Sequence, residues 1–269
     1  MNIFNLIGST DSKNTHVTEQ LTSIARRDAF RQLGDFGKKL AMGAIPLGAA
    51  TLATSQPAQA ANEKVVDILN FALLLEYLDS TFYTLGLESG VIPEVGYQRI
   101  IFQQISTNEN NQVRFLQNTI RSLGGTPIPK PKFDYTAKGK FDPFKNYGQF
   151  LALSQAFEDT GVRAYKGQAP NLIEYDAILT AALRIHSVEA RHAARIRRLR
   201  GRQSWPPLDK LEGLPPETAP VYKGEANTVQ GGIDLAAALP EIDPVNISEA
   251  FDEPLTKAEV TAIASLFLA

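Results

Sequence analysis

The chain contains no cysteine and only three histidines among 269 residues. The first absence excludes disulfides, thiolate-held zinc and thiol nucleophiles, and it removes cysteine usage as a guide to redox compartment. The second leaves few imidazoles, so any metal must be held largely by oxygen. An excess of one charge is also lacking: 27 Lys and Arg against 29 Asp and Glu give a net charge of −2. Nothing in that balance supplies the whole-chain basic field of a nucleic-acid binder, and no nucleic-acid partner is expected. The arginines between Arg184 and Arg202 are read as helix-end charge balance and a solvated face. What is present, 43% hydrophobic and 21% charged residues, suits an ordinary globular protein with a substantial core.

Residues 1–25 are polar and unpatterned. Arg26 and Arg27 then open a basic region with Arg31, Lys38 and Lys39, followed by an apolar stretch over residues 40–55 that is too short and too rich in Ala and Gly for a membrane span. Ala58-Gln59-Ala60 supplies a small-x-small cleavage pattern. Residues 1–60 therefore read as a leader with an export signal of the twin-arginine kind, although Phe30 sits one place later than in the usual pattern. The expectation is export through the twin-arginine machinery to the periplasm, with a mature chain beginning near Ala61.

From Asn62 the pattern changes to long apolar-periodic segments. The first runs to Gly90 and is apolar on nearly every side, which predicts a buried helix. A second, from about Pro93 to Leu123, closes at Gly124-Gly125. The stretch "TPIPKPKFDYTAKGKFDP" is too rich in Pro and Gly to be helical and reads as a connection. Asp142 followed by Pro143 predicts the start of a third helix reaching about Gly167; Asn171 with Glu174 predicts the start of a fourth ending at Arg200. Arg195, Arg197, Arg198 and Arg200 complement the dipole at its end. Beyond Trp205 turn formers dominate until Thr256 and Glu259, a capping box for a short helix docked by Val260, Ile263, Leu266 and Phe267. The fold class is all-α: a four-helix bundle over residues 61–205, a long crossover between helices 2 and 3, and a tail over 206–269 wrapping the bundle.

The two halves repeat one pattern. Glu76 precedes Tyr83 by two helical turns, and Glu158 precedes Tyr165 by the same interval. Helix 2 carries Glu109 with Gln112, and helix 4 carries Glu189 with His192, at the spacing by which a helix presents two ligands on one face. One Glu from each of two helices and Glu-x-x-His from the other two is the ligand pattern of a carboxylate-bridged two-metal bundle. The bland alternative is four solvated glutamates on helix edges. Glu76 argues against it, because "FALLLEYL" surrounds it with apolar neighbours, and an unpaired buried carboxylate costs several kcal/mol. Tyr83 and Tyr165 read first as core tyrosines whose hydroxyls bond those carboxylates, with a radical or proton-relay role as the alternative.

Through "NFALLLEYLDSTFY", "ENNQVRFL", "FEDTGVRAY" and "VEARHAARIRRL", in that order, the chain resembles the exported ferritin-like domain family, which includes desiccation-related proteins of plants and many bacterial twin-arginine substrates. The resemblance covers roughly residues 61–269. It implies a ferritin-like bundle holding two iron or manganese ions through Glu76, Glu109, Glu158, Glu189, His192 and Gln112, with Tyr83, Tyr165 and His186 around them. It further implies a di-metal oxidoreductase of oxygen or peroxide chemistry, or iron handling, and a homo-oligomer. The departure is Gln112, where the family's pattern has His. The alternative is a metal-free exported structural or stress-related scaffold that has lost efficient binding at that position. His186 and His192 lie about 240° apart around the helix, so His186 is expected at the site's boundary.

Overall fold

The computed structural model describes residues 55–269, with side chains from Glu63 onward. The Arg26-Arg27 pair, residues 40–54 and His16 lie outside the described residues. Four long helices dominate. Helix α1, Ser55–Glu88, begins earlier than the expected start at Asn62, its backbone already helical through the Ala-rich segment that propensity favours. It ends where Gly90 takes a φ of +77°. Helix α2, Tyr97–Ser122, closes as read: Gly124 N–H donates to Arg121 O and Gly125 N–H to Ile120 O, a paired cap made possible by Gly124 at φ +79°.

The third and fourth helices start later than the sequence signals indicate. Helix α3, Tyr147–Gln168, is capped by Asn146, whose side chain accepts from Gln149 N–H. Asp142 and Pro143 instead form a turn in which Asp142 O accepts from Lys145 and Asn146. That turn brings Phe144 against Phe82 and Tyr135, so core packing overrides the local cap. A 3-10 turn, Ala169–Leu172, absorbs Asn171, and helix α4 begins only at Asp176 and runs to Leu199. Burial of Leu172 fixes that turn, and Asn171 donates back to Gln168 rather than capping a helix.

A short connection makes α1 and α2 an antiparallel pair, and α3 and α4 form the second pair. The crossover, residues 123–146, must traverse a bundle whose α2 alone has 26 residues, roughly 39 Å at 1.5 Å per residue. It is held at its start by Asn70, which accepts from Ile128 N–H, and by Tyr77, whose hydroxyl donates to Ile128 O. Further on, Tyr135 donates to Leu78 O at 2.6 Å. Aromatic rings fill this part of the core: Phe82 stacks on Phe150 at 4.8 Å and meets Phe157 edge-on at 5.0 Å. Gly86 is required here, since a Cβ would lie 2.3 Å from the Phe150 ring.

The tail returns to the bundle through helix α5 (Ala219–Tyr222), a two-residue hairpin pairing β1 (Val229–Gln230) with β2 (Ile233–Asp234), and helices α6 (Leu235–Ala238), α7 (Pro244–Ser248) and α8 (Lys257–Ser265). The Thr256–Glu259 capping box is formed, and Val260, Ile263 and Phe267 are buried. Leu266, expected to dock with them, is 41% exposed, because it falls past the last turn on the outer side. The chain end pairs with the crossover, Asp134 N–H donating to Phe267 O. Among the described residues no helix is long and apolar enough to cross a membrane.

Candidate metal centre

Each long helix delivers one glutamate to the bundle interior: Glu76 from α1, Glu109 from α2, Glu158 from α3 and Glu189 from α4. They are 2%, 0%, 0% and 1% exposed. Glu109, Glu158, Glu189 and His192 each place a ligand atom within 4.8 Å of all the others. Glu76 lies outside that tightest set and adjoins it through Glu109, whose charge raises its pKa after burial itself. The solvated-edge alternative is thus excluded by position.

The tyrosines bond across the bundle rather than along their own helices. Tyr83 of α1 donates to Glu158 Oε1 at 2.6 Å, and Tyr165 of α3 donates to Glu76 Oε1. Such reciprocal pairing requires α1 and α3 to be antiparallel. Helices α2 and α4 answer with the same reciprocity: Gln112 Nε2 donates to Glu189 Oε1 at 3.1 Å, and His192 Nδ1 lies 2.9 Å from Glu109 Oε1. His192 Nδ1 is also 3.3 Å from Glu158 Oε2. Neither approach has hydrogen-bond alignment, so Nδ1 and the two carboxylates meet as ion-pair contacts without a hydrogen bond. Glu76 Oε2, Glu109 Oε2 and Gln112 Oε1 also have no hydrogen-bond partner.

Buried polar atoms are normally satisfied, and so many orphans facing one point need protons or a cation between them. Without a cation, burial followed by mutual repulsion raises the carboxyls of Glu76 and Glu189 well above their usual range. Burial raises Glu158 too, against the lowering pull of His192. For His192 burial alone would depress the imidazolium, but Glu158 and Glu109 outweigh it and lift the group to about 10. Both tyrosine hydroxyls are pushed up by burial and by the carboxylates they serve, so they remain donors.

Two residues at this centre were not singled out by spacing. Asp79 sits one turn beyond Glu76, buried with Oδ1 unpartnered, and burial followed by Glu158 raises its carboxyl strongly. The i, i+3 relation to Glu76 was the available signal. Gly161 occupies the matching place in α3, where a Cβ would approach Glu189 Oε2 to 3.1 Å. Beside them a space of about 10 Å³ is closed by Ile263 and Ala264 of α8, so the tail covers this side of the centre. Asn108 is the second, its Nδ2 2.9 Å from His192 Nε2. His186 stands apart, with Nδ1 2.9 Å from Val162 O, tying α4 to α3. Arg197, expected on a solvated face, is 1% exposed and paired with Asp159 and Glu212.

A bundle with one inward glutamate per helix and an imidazole among them defines a class, the carboxylate-lined four-helix metal proteins. This chain belongs to the ferritin-like domain family, which matches residues 64–202. No curated protein matches the chain. The residues present fit a metal: the orphaned oxygens and Nδ1 form a buried donor set that is mostly anionic and hard, with one borderline nitrogen. A bound transition metal would supply Lewis acidity or electron transfer there. The chain's own groups would hold it, fix the carboxylate rotamers through Tyr83 and Tyr165, and exclude bulk water.

Proposed function

We propose that this is an exported ferritin-like protein that holds two ions of iron or manganese and uses them in redox chemistry on oxygen or peroxide, or in iron handling. The observation that carries the reading is the convergence of unpartnered, buried Glu109, Glu158 and His192 atoms with Glu189 in one cluster. Glu109, Glu158, Glu189 and His192 would hold the metal, joined by Glu76 and Gln112, and the bound ions would supply the redox chemistry. Export rests on Arg26-Arg27, the apolar residues 40–55 and Ala58-Gln59-Ala60. The second reading, a metal-free structural or stress-related scaffold, is favoured by one contact, the Gln112 amide already bonded to Glu189.

Elemental analysis of the full chain, purified without chelator, separates the two. About two equivalents of iron or manganese support the metal reading. None bound at micromolar supply leaves the scaffold. Periplasmic protein with its N-terminus near Ala61, lost when Arg26 and Arg27 are both changed to Lys, tests the export route.

A further inference from the structure

The four long helices make two walls. Helices α1 and α3 touch along one side of the bundle; α2 and α4 touch along the other, where Asn108 meets His192 and Gln112 meets Glu189. The tail lies on the first wall, with α5 and α8 packed on α3 and α8 also on α1. Charge divides the same way. Residues 206–269 hold eleven carboxylates against three lysines and no arginine. On α2 and α4 the acids are Glu109 and Glu189, buried in the centre, and Asp176 in the first turn of α4. Arg184, Arg191, Arg195 and Arg198 of α4 are exposed, as are Arg114 and Arg121 of α2. A chain of net charge −2 therefore carries one strongly basic side.

The α4 arginines form a stripe. At 100° per residue the four fall within about 60° of arc and span about 21 Å of helix. His186 and Arg197, which bond α3 at Val162 O and Asp159, lie on the other side of α4, so the stripe faces outward from the α2–α4 wall. None of the four is paired with a carboxylate among the described residues. Beside them Tyr97 and Ile100 of α2 are 56% and 65% exposed, and Arg195 lies over the Tyr97 ring at 5.5 Å.

We infer that the α2–α4 wall docks on an anionic phospholipid bilayer, its arginines on the lipid phosphates and the acidic tail turned away. Four guanidinium forks with no acid between them match a surface of phosphates, each of which a fork can hold at two points. Nucleic acid would use the arginines alone. A bilayer also offers an apolar layer to Ile100 and a headgroup level to Tyr97. The flatness of a membrane matters too, since it meets one wall and leaves the tail's carboxylates on the far side. This inference is independent of metal binding.

Because the chain has no cysteine, single labels report its orientation on a vesicle. Ser187→Cys places a fluorophore within the arginine stripe, and Thr261→Cys places one on the exposed side of α8. The full chain is mixed at low salt with vesicles of equal phosphatidylglycerol and phosphatidylcholine. The label at position 187 should lose about threefold in access to an aqueous quencher, the label at position 261 should keep its access, and about 0.5 M salt should release the protein. Changing Arg184, Arg191, Arg195 and Arg198 together to Gln should lower partitioning about tenfold with an unaltered melting temperature. Should that variant unfold, the contrast between the two labels still decides. Equal partitioning to phosphatidylcholine alone, equal shielding of the two labels, or full binding by the folded Gln variant would overturn the inference. So would tighter binding to duplex DNA than to vesicles at the same salt. A molecular mass that doubles without vesicles, and falls on the four Gln changes, would give the wall to a second copy instead.

Discussion

At the scale of single residues, the half-buried Asn108 decides how well His192 can serve as a ligand. To offer a lone pair at Nδ1 the imidazole must carry its proton on Nε2 and give it to an acceptor. The only described partner of Nε2 is the Asn108 amide at 2.9 Å, with Gln104 bonded behind it at 2.8 Å. Half a turn of the Asn108 amide brings Oδ1 to Nε2–H, and the exposed Gln104 amide can turn with it. Asn108→Leu should therefore weaken metal binding by roughly 10–100-fold while leaving the melting temperature of the metal-free protein nearly unchanged. Competition against a chelator of known affinity measures the first and a thermal scan the second; unaltered affinity would show that Asn108 only packs. The four glutamates, His192 and both tyrosines were legible because helical spacing assigns a residue to a face and an apolar context makes a charged residue on that face costly. Spacing says nothing of partners. The tyrosine hydroxyls cross to the opposite helix, and Asn108, a polar residue one place before a glutamate, carries no periodic signal at all.

At the scale of elements, the question is what holds an irregular tail on the bundle. Arg163 of α3, buried throughout, donates to the carbonyls of Val221, Lys223 and Glu253 and lies 2.9 Å from Glu225 Oε1. Burial pushes the Glu225 carboxyl up to about 7, with Arg163 pulling the other way. Just beyond, Gly167 lets the tail cross so closely that a Cβ would lie 2.0 Å from Leu255 O. Arg163→Met would keep most of the stem and strand three carbonyls and a carboxylate. A loss of about 3–5 kcal/mol is expected at pH 7.5, where Glu225 is mostly ionised. The loss should shrink at pH 5.5, where Glu225 is neutral; urea unfolding at the two pH values reads both, and an equal loss at each would remove the carboxylate from the account. None of this was visible beforehand, because the tail's contacts are made by backbone carbonyls, which every sequence has. Helix existence, by contrast, followed from periodicity. Helices α3 and α4 start later than their sequence signals because Asp142 and Asn171 are sound local caps that the packing of Phe144 and Leu172 diverts into turns.

At the scale of the whole molecule, the stability of the metal-free chain and the stabilisation that a metal adds respond to pH in opposite senses. In the metal-free state Glu76, Asp79, Glu158 and Glu189 all have raised carboxyl pKa values, burial being the largest cause, and His192 is lifted to about 10 against its burial. Every one of these shifts means that the folded chain keeps protons the unfolded chain gives up. Their contribution to stability is complete below about pH 4, the unfolded carboxyl value, and declines as pH rises; for His192 the decline runs from about 6.5 to about 10. Half-buried Asp134 and exposed Glu259, whose pKa values are lowered by hydrogen bonds to Thr136 and Thr256, act in the reverse sense, away from the centre. The melting temperature of the metal-free protein should thus fall between pH 5 and pH 8. A cation must displace the same protons, so its affinity climbs over that range and its stabilisation grows as RT ln(1 + [L]/Kd). Thermal scans in chelator and in excess Mn2+ should give two curves that lie close together at pH 5 and separate steadily toward pH 8. A metal-free curve that rises with pH would mean that the four buried carboxyls are ionised and stably paired inside the bundle, which the unpartnered oxygens of this centre do not allow.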